Sequence, residues 1–387
     1  MKVRINFISP FVVGGIKLVS NYIESIDYIP GNVIRAALAR YILNNCYYYD
    51  PDEVVTVDGV QKKNWVYFKD KPRCSDCKLK TLCQKLGDIK ISFFYPKDTR
   101  VIPSTLMMCK ANPQHGFVDR LIEQPKCPKC EGGRGRVEFV SGLFKDGKKY
   151  NVVKSFVTRT AINRYTGTAK DGSLYSLLAV SATLQDQNTG YEENVFEGQI
   201  LGLMPQELSI IDELRIGKYT SVGLGRCNVT VIGEKVNTPD VSKVIQSLRE
   251  FDAQYKRNNG INDDGCRYFA IKFISDVKLD FGFADVNEYM STDQYKAVWL
   301  KALGINLDVQ VEKVYAEVFN FRGYDTSKVG EDKREQPVHM VEKGSVIVFK
   351  THLAFDKVID YFDSLEGFGQ DTNDGFGKFD YHFGGVC

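Results

Sequence analysis

Hydrophobic and polar residues alternate from the first positions of the chain. In MKVRINFISP, Val3, Ile5 and Phe7 stand between Lys2, Arg4 and Asn6, the period of two that marks a strand with one face buried. FVVGG turns the chain, and DYIPG leads into NVIRAALARYILNNCYYY, where Val33, Ala36, Ala37, Arg40 and Tyr41 recur near helical spacing with Asn32 placed as the cap. Between about 50 and 150 the pattern breaks into cysteines, prolines and short strand candidates such as KISFFY. KYNVVKSFV, TRTAINRYTGTAKDGSLYSLLAVSA, FEGQILGLM and LRIGKYTSVGLGRCNVTVIG read as strands and turns. TPDVSKVIQSLREFDAQYKRNNG is helical and ends on an Asn-Asn-Gly stop. A second series follows: the strand YFAIKFISDVKLD, a helix near 291–302, the strand VEKVYAEVFNFRGYD, then GSVIVFKTHLAFDKVIDYFDSL. A boundary falls between about 235 and 268.

The two series end alike. SVGLGRCNVTV closes the first with a Gly-x-Gly, a basic residue and a strand; EGFGQDTNDGFGKFDYHF closes the second with Gly367, Gly369, Gly375 and Gly377 before a strand. This echo implies two divergent copies of one module, each a small antiparallel sheet with helices on one face. The expected fold class is α+β, with a first unit over 1–235 carrying an insertion at about 50–150, and a second over 236–387.

With 387 residues, 24 Phe and 21 Tyr, the chain is long enough for two cores and too aromatic for a disordered segment. The net charge of +2 conceals a local bias. Lys126 to Lys170 holds eleven basic residues and three acidic ones, which suits either a solvated surface or a face that meets phosphate. The first residues lack a continuous apolar signal region, and no run reaches the length of a membrane helix. A cytoplasmic protein without a membrane partner is the expectation.

CSDC at 74–77 and CPKC at 127–130 each present two thiolates from one turn, so Cys74, Cys77, Cys127 and Cys130 make a candidate structural zinc site. Cys83 is a fifth candidate, able to displace one of the four. Redox chemistry and unliganded thiols are the competing readings. Cys46, Cys109, Cys227, Cys266 and Cys387 are isolated in sequence and read as buried or bystander residues.

DYIPGNVIRAALARY, TRTAINRYTGTAKDGSLYS, SVGLGR and GFGQDTNDGFGKF resemble blocks of the RAMP superfamily of CRISPR-associated proteins, in family order from Phe7 to Phe383 and with little likeness between 50 and 125. Within it the chain looks most like the double-module, Cas5-like subunit of type III-D interference complexes. The resemblance implies two ferredoxin-like (RRM-like) modules with glycine-rich loops. It also implies binding of CRISPR RNA near its 5′ repeat-derived handle, with the large subunit and the RAMP backbone subunits as partners. The candidate RNA-binding residues are Arg35 and Arg40 in the helix block, Arg159, Arg164 and Tyr165 in the hairpin block, and Gly217, Lys218, Gly223, Gly225 and Arg226 in the glycine block.

The physical chemistry is compatible with that reading. Glycines without Cβ let amides approach a phosphate, Arg226 and Lys218 supply charge-assisted contacts, and Tyr165 offers a stacking face. The amides of Asn32 and Val33 at a helix start offer another anion position. For Gly223 and Gly225 plain turn geometry competes, for Arg35 and Arg40 pairing with acidic neighbours, and for Tyr165 packing. The second loop, with Asp371, Asp374 and only Lys378 close by, suits a protein contact or a structural turn equally well.

Whether the chain is an enzyme stays open. Some relatives cut RNA, which needs an acid and a base around a 2′-hydroxyl. His115 has no second His nearby, and Asp119 is one of several insertion aspartates able to serve target cleavage. A noncatalytic RNA-binding subunit leads, with a RAMP endoribonuclease and a protein-only scaffold as alternatives. No P-loop or zincin motif occurs.

Overall fold

Val3, Ile5 and Phe7 are buried as their alternation requires, and the strand that carries them is the middle of a sheet. A computed structural model describes residues 1–14, 16–17, 22–57, 59–63, 70–186, 190–233, 240–262, 264–282, 290–330 and 333–385. Cys387 and the first part of the proposed boundary, 234–239, lie outside the described residues.

The first half contributes β1 (Lys2–Phe7), α1 (Gly31–Asn45), the short α2 (Lys80–Lys85), β2 (Lys90–Ile91), a long hairpin of β3 (Lys154–Ile162) and β4 (Ala169–Val180), then β5 (Val195–Leu201) and β6 (Arg226–Gly233). The sheet order is β6-β1-β5-β2 with every neighbour antiparallel. Ile5 lies opposite Phe196 on one side and Val229 on the other. Ile34, Ala37, Leu38 and Ile42 of α1 join Val3, Ile5 and Phe196 in one core.

The second half contributes α3 (Val241–Asn259), β7 (Arg267–Phe273), α4 (Thr292–Leu303), β8 (Gln310–Tyr315), a second hairpin of β9 (Val318–Tyr324) and β10 (Arg334–Val341), β11 (Val346–Thr351), α5 (Phe355–Asp363) and β12 (Phe379–His382). Its order, β8-β11-β7-β12, is again antiparallel throughout. Phe269 opposes Phe349 and stacks on it, and Phe362 of α5 meets both rings edge-on or nearly so. The expected helix at 291–302 is α4, opened by Ser291 and Gln294 as a reciprocal capping box. Asp240 caps α3, and Gly260 closes it in the left-handed region.

The two halves share a plan. Each runs strand, helix, strand, long hairpin, strand, helix, strand, and each sheet places the fourth of these strands beside the first, then the third, then the second. In the first half the second helix is a single turn, Pro205–Leu208.

The start of α1 differs from the sequence expectation. Pro30 takes the cap position with extended backbone and no side-chain cap, so Asn32 lies inside the helix. Gly31 is required there because a Cβ would run into the carbonyl oxygens of Asp374 and Ile91. The helix start is therefore packed against the glycine loop of the other half, and the Val33 amide donates to Pro30 O at 3.1 Å. Arg35 reinforces the same junction: its guanidinium donates to the Asp374 carboxylate and to the carbonyls of Leu86, Ile89 and Asn373. Tyr28 donates to the Asp276 carboxylate and Tyr95 to the Ile274 carbonyl across the halves. Burial, with Asp276 adding to it, holds the Tyr28 hydroxyl well above its ordinary pKa.

Candidate nucleic-acid interface and metal centre

The glycine block and the arginine hairpin, more than forty positions apart in sequence, share one surface. Arg159 on β3 donates from Nη2 to the Val222 carbonyl at 3.0 Å, and Tyr175 on β4 stacks on Tyr219 with ring centroids 5.9 Å apart. Val12, Leu177, Ala179 and Leu224 form the small core beneath this contact. The hairpin projects beyond it. Arg164 is exposed and Tyr165 fully so at the tip, and Phe156, Ile162 and Leu174 expose apolar side chains along the two strands. Lys218 is exposed on the loop side. The Arg159 Nε is buried without a hydrogen-bond partner.

The glycine loop is not a cradle of free amides. Lys218 N–H donates to Val12 O at 2.8 Å and Gly225 N–H to Pro10 O at 2.9 Å, while Gly223 N–H closes a turn onto Thr220 O. Arg226 N–H goes to the Ser9 hydroxyl at 2.9 Å. Gly225, at φ 76°, is glycine because a Cβ would strike the Ile216 carbonyl; Gly217, at φ 96°, faces Val12 in the same way. Gly217 and Gly225 serve close backbone approach, whereas Gly223, in the left-handed region at φ 95°, has open space around it. Arg226 is exposed and its guanidinium is paired with Glu213 at 2.7 Å. Hydrogen bonding to that carboxylate raises the Arg226 pKa further.

The second loop repeats the first bond for bond, at a constant offset of 152 positions (217 to 369, 225 to 377). Gly377 N–H donates to Asp276 O at 2.9 Å, Gln370 N–H to Lys278 O at 3.1 Å, and Phe368 N–H to Gly377 O at 2.9 Å, as Ile216 N–H does to Gly225 O at 2.8 Å. Lys378 N–H meets the Ser275 hydroxyl at 2.9 Å. Tyr219 and Asp371 occupy the same left-handed position, φ 60° and 58°. The loops differ in what faces them. Space is open at Gly223, whereas Gly375 packs on Ile91 and Phe93 of the first half.

The insertion gathers a metal-binding constellation that differs from the expected one. Cys127 and Cys130 are joined by Cys109 and His115, not by Cys74 and Cys77: the four donor atoms lie within 4.8 Å of one another. Cys109 ends the strand Leu106–Cys109, which pairs with Val137–Phe139 and Phe117–Asp119. His115 lies on the turn Pro113–His115, opened by Asn112 accepting from Gln114 N–H. Cys127 N–H bonds Gly135 O at 2.8 Å, folding the CPKC turn onto the same sheet. Gly135 must lack a side chain, since a Cβ would meet the Cys130 sulfur.

Cys109 and Cys130 sulfurs are 3.5 Å apart, and His115 Nδ1 is 3.4 Å from Cys127 Sγ and 3.5 Å from Cys130 Sγ. A tetrahedral zinc site with ordinary bond lengths has S···S edges of about 3.8 Å and S···N edges of about 3.6 Å. The residues therefore fit a four-coordinate soft dication. The Asn112 amide, with help from the Cys130 and Cys127 thiols, draws the Cys109 thiol down to about 6. That favours the thiolate a metal needs. All four positions are taken by protein, so such a centre braces the insertion and has no open site for water.

Asp119 is buried and bonded to His382 Nε2 at 2.7 Å, with the amides of Leu121 and Gly385 also donating to it. Burial alone would raise its pKa, but these hydrogen bonds and the His382 charge outweigh it and lower the carboxyl below its ordinary value. Asp119 thus ties the insertion to β12 from inside the protein, out of reach of any RNA. Arg40 is exposed on α1. Sequence reasoning passed over Cys109 and His115 because neither has a partner at motif spacing, and over the second hairpin, where Phe319, Phe321 and Tyr324 are exposed.

A model of the RAMP superfamily matches residues 4–228, more than half of the chain, and the chain belongs to that superfamily. No curated protein matches it. Among solved structures it is similar to a chain of the type III-B Cmr-beta complex bound to cognate target RNA, at 14% identity and TM-score 0.43, with 98% of this chain and 96% of that one covered. A chain of Cmr-beta bound to cognate target RNA and AMPPnP in state 1 gives 14%, 0.42, 94% and 88%. One of the apo Cmr-beta structure gives 11%, 0.25, 60% and 97%. Among the described residues no helix is long and apolar enough to cross a membrane.

Proposed function

We propose that this RAMP protein is a noncatalytic CRISPR RNA-binding subunit of a type III interference complex, and that its first hairpin and the adjoining loop hold the 5′ repeat-derived handle. The observation that carries the proposal is the joining of two blocks through Arg159–Val222 and Tyr175–Tyr219. The joined surface has Arg164, Lys218 and the projecting Tyr165 at its edge. Arginine and lysine supply phosphate contacts, and a fully exposed ring is a stacking platform for an unpaired base. Arg35 is left out of this interface because its donors are spent inside the protein, on Leu86 and Ile89 of its own half and on Asn373 and Asp374 of the other. Arg226 contributes only if phosphate displaces Glu213, an exposed pair of low intrinsic worth.

The strand order shared by the halves and the two matching loops support the reading of two ferredoxin-like modules, 1–235 and 236–387, with the insertion at about 50–150 in the first interrupted by β2, which belongs to the shared sheet. Zinc is the ion best suited to the three thiolates and one imidazole at Cys109, His115, Cys127 and Cys130. The large subunit and the RAMP backbone subunits are the proposed protein partners, with the cytoplasm as the compartment.

The test is a titration of the full chain with labelled repeat-containing RNA at about 50 and about 200 mM salt, with product analysis. The proposal expects retention of intact RNA, at least tenfold weaker at the higher salt, and a shallower salt dependence for Arg159→Ala and Arg164→Ala. A discrete cleavage product would replace it with the endoribonuclease reading. Salt-independent binding, or affinity unchanged in both variants, would move the RNA interface elsewhere.

A further inference from the structure

Four cysteines outside the first candidate metal centre lie on two stretches that pack together, Cys46 on one and Cys74, Cys77 and Cys83 on the other. Cys46 is the C-cap of α1, Cys74 closes the turn Pro72–Cys74, Cys77 follows in the next turn, and Cys83 sits inside α2. The local backbone presents the last three from consecutive turns: Cys77 N–H donates to Cys74 O at 3.3 Å, Lys80 N–H to Cys77 O at 3.0 Å, and Cys83 N–H to Leu79 O at 2.8 Å. Side chains beside the cysteines hold the stretches together. The Arg73 guanidinium lies 3.7 Å over the Tyr47 ring, Lys71 lies over Tyr48, and Arg73 N–H donates to the Tyr48 hydroxyl at 3.3 Å. Underneath, Leu79, Leu82 and Leu86 are buried with Ile42 of α1, and Cys83 packs against the same cluster.

We infer that Cys46, Cys74, Cys77 and Cys83 form a second, all-thiolate centre for a structural soft dication, zinc by preference, separate from Cys109, His115, Cys127 and Cys130. The spacing C-x2-C-x5-C with one distant cysteine is that of a closed tetrahedral site. None of the four is in a disulfide, and Cys77 is exposed, so an ion has a route in. Among the described residues only the first centre has every donor within 4.8 Å, so binding here includes a side-chain closure about the ion. Between Lys71 and Asp88 the buried side chains are Leu79, Leu82 and Leu86, a thin core that a metal would reinforce.

The experiment measures metal content of the full chain purified with zinc alone. The inference expects about two zinc ions per chain, and about one in both C74S/C77S and H115A/C127S. Refilling with cobalt(II) would give C74S/C77S the spectrum of a three-sulfur, one-nitrogen site and H115A/C127S that of a four-sulfur site. Because a double variant can misfold, the wild type is also alkylated before and after chelation. Cys46, Cys74, Cys77 and Cys83 should react at least tenfold faster once the metal is removed. A single zinc per chain, or equal alkylation of these four with and without metal, overturns the second centre without bearing on RNA binding.

Discussion

Tyr165 and Gly225 act at the residue scale in opposite settings. Tyr165 stands in solvent at the hairpin tip, so Tyr165→Ala should leave the melting temperature unchanged while weakening repeat-RNA affinity by roughly tenfold to hundredfold, the loss of one base stack. Equal affinity would show that no base stacks there. Gly225 is the converse case. Its positive φ and the Ile216 carbonyl against its Cα mean that Gly225→Ala should cost about 2 kcal/mol or more, read as a shift of the denaturation midpoint. Gly223→Ala, with open space around it, should cost about 1 kcal/mol from backbone strain alone. The sequence made the chemistry of the arginine hairpin visible, because Arg, Tyr and a turn lie within a few residues. It did not reveal the Cys3His cluster that could hold a metal ion. Cys109 and His115 reach it from a strand end and a single turn, and nothing in their spacing announces that these stack beside CPKC.

At the scale of elements, periodicity served where an element buries a regular face. β1, α3 and α4 lie where their patterns place them, because alternation and caps are local causes. The start of α1 was misread for a non-local reason: Gly31 answers to Asp374, hundreds of positions away. β2 is only two residues long and takes its place in the sheet from β5 rather than from its own sequence. The Asp119–His382 pair shows what links the insertion to β12. Asp119→Asn should cost about 3 kcal/mol near neutral pH, as the buried carboxylate bonded to His382 and to the amides of Leu121 and Gly385 is lost. The folded carboxyl titrates below its ordinary 3.8. Its contribution is therefore present above that value and is lost as the pH falls through the lower folded pKa. Denaturant midpoints of wild type and D119N should converge toward acid; a gap that persists undiminished at low pH would contradict the assignment.

On the scale of the whole molecule, one plan is used twice and the copies are put to different work. The two glycine loops share their hydrogen bonds position by position, yet the second is packed on α1 and β2 while the first faces solvent at Gly223. The acidic residues that set the second loop apart in sequence have their explanation here: Asp374 receives Arg35, and Asp371 receives Lys278. Arg35→Ala should loosen the junction between the halves by about 2 kcal/mol and raise amide exchange in 31–35 and 372–377. An unchanged exchange pattern would place the junction's strength elsewhere. The loop of the first half, with its hairpin, keeps the open face that we propose for RNA.

The central claim is that this hairpin and loop are the RNA face. Photo-crosslinking of 4-thiouridine-substituted repeat RNA to the full chain, followed by mapping of the attached peptides, tests it most directly. The account predicts adducts within 154–180 and 214–226, with Tyr165 at or beside the strongest. Adducts confined to the second hairpin, 318–341, or absent from both hairpins, would contradict it.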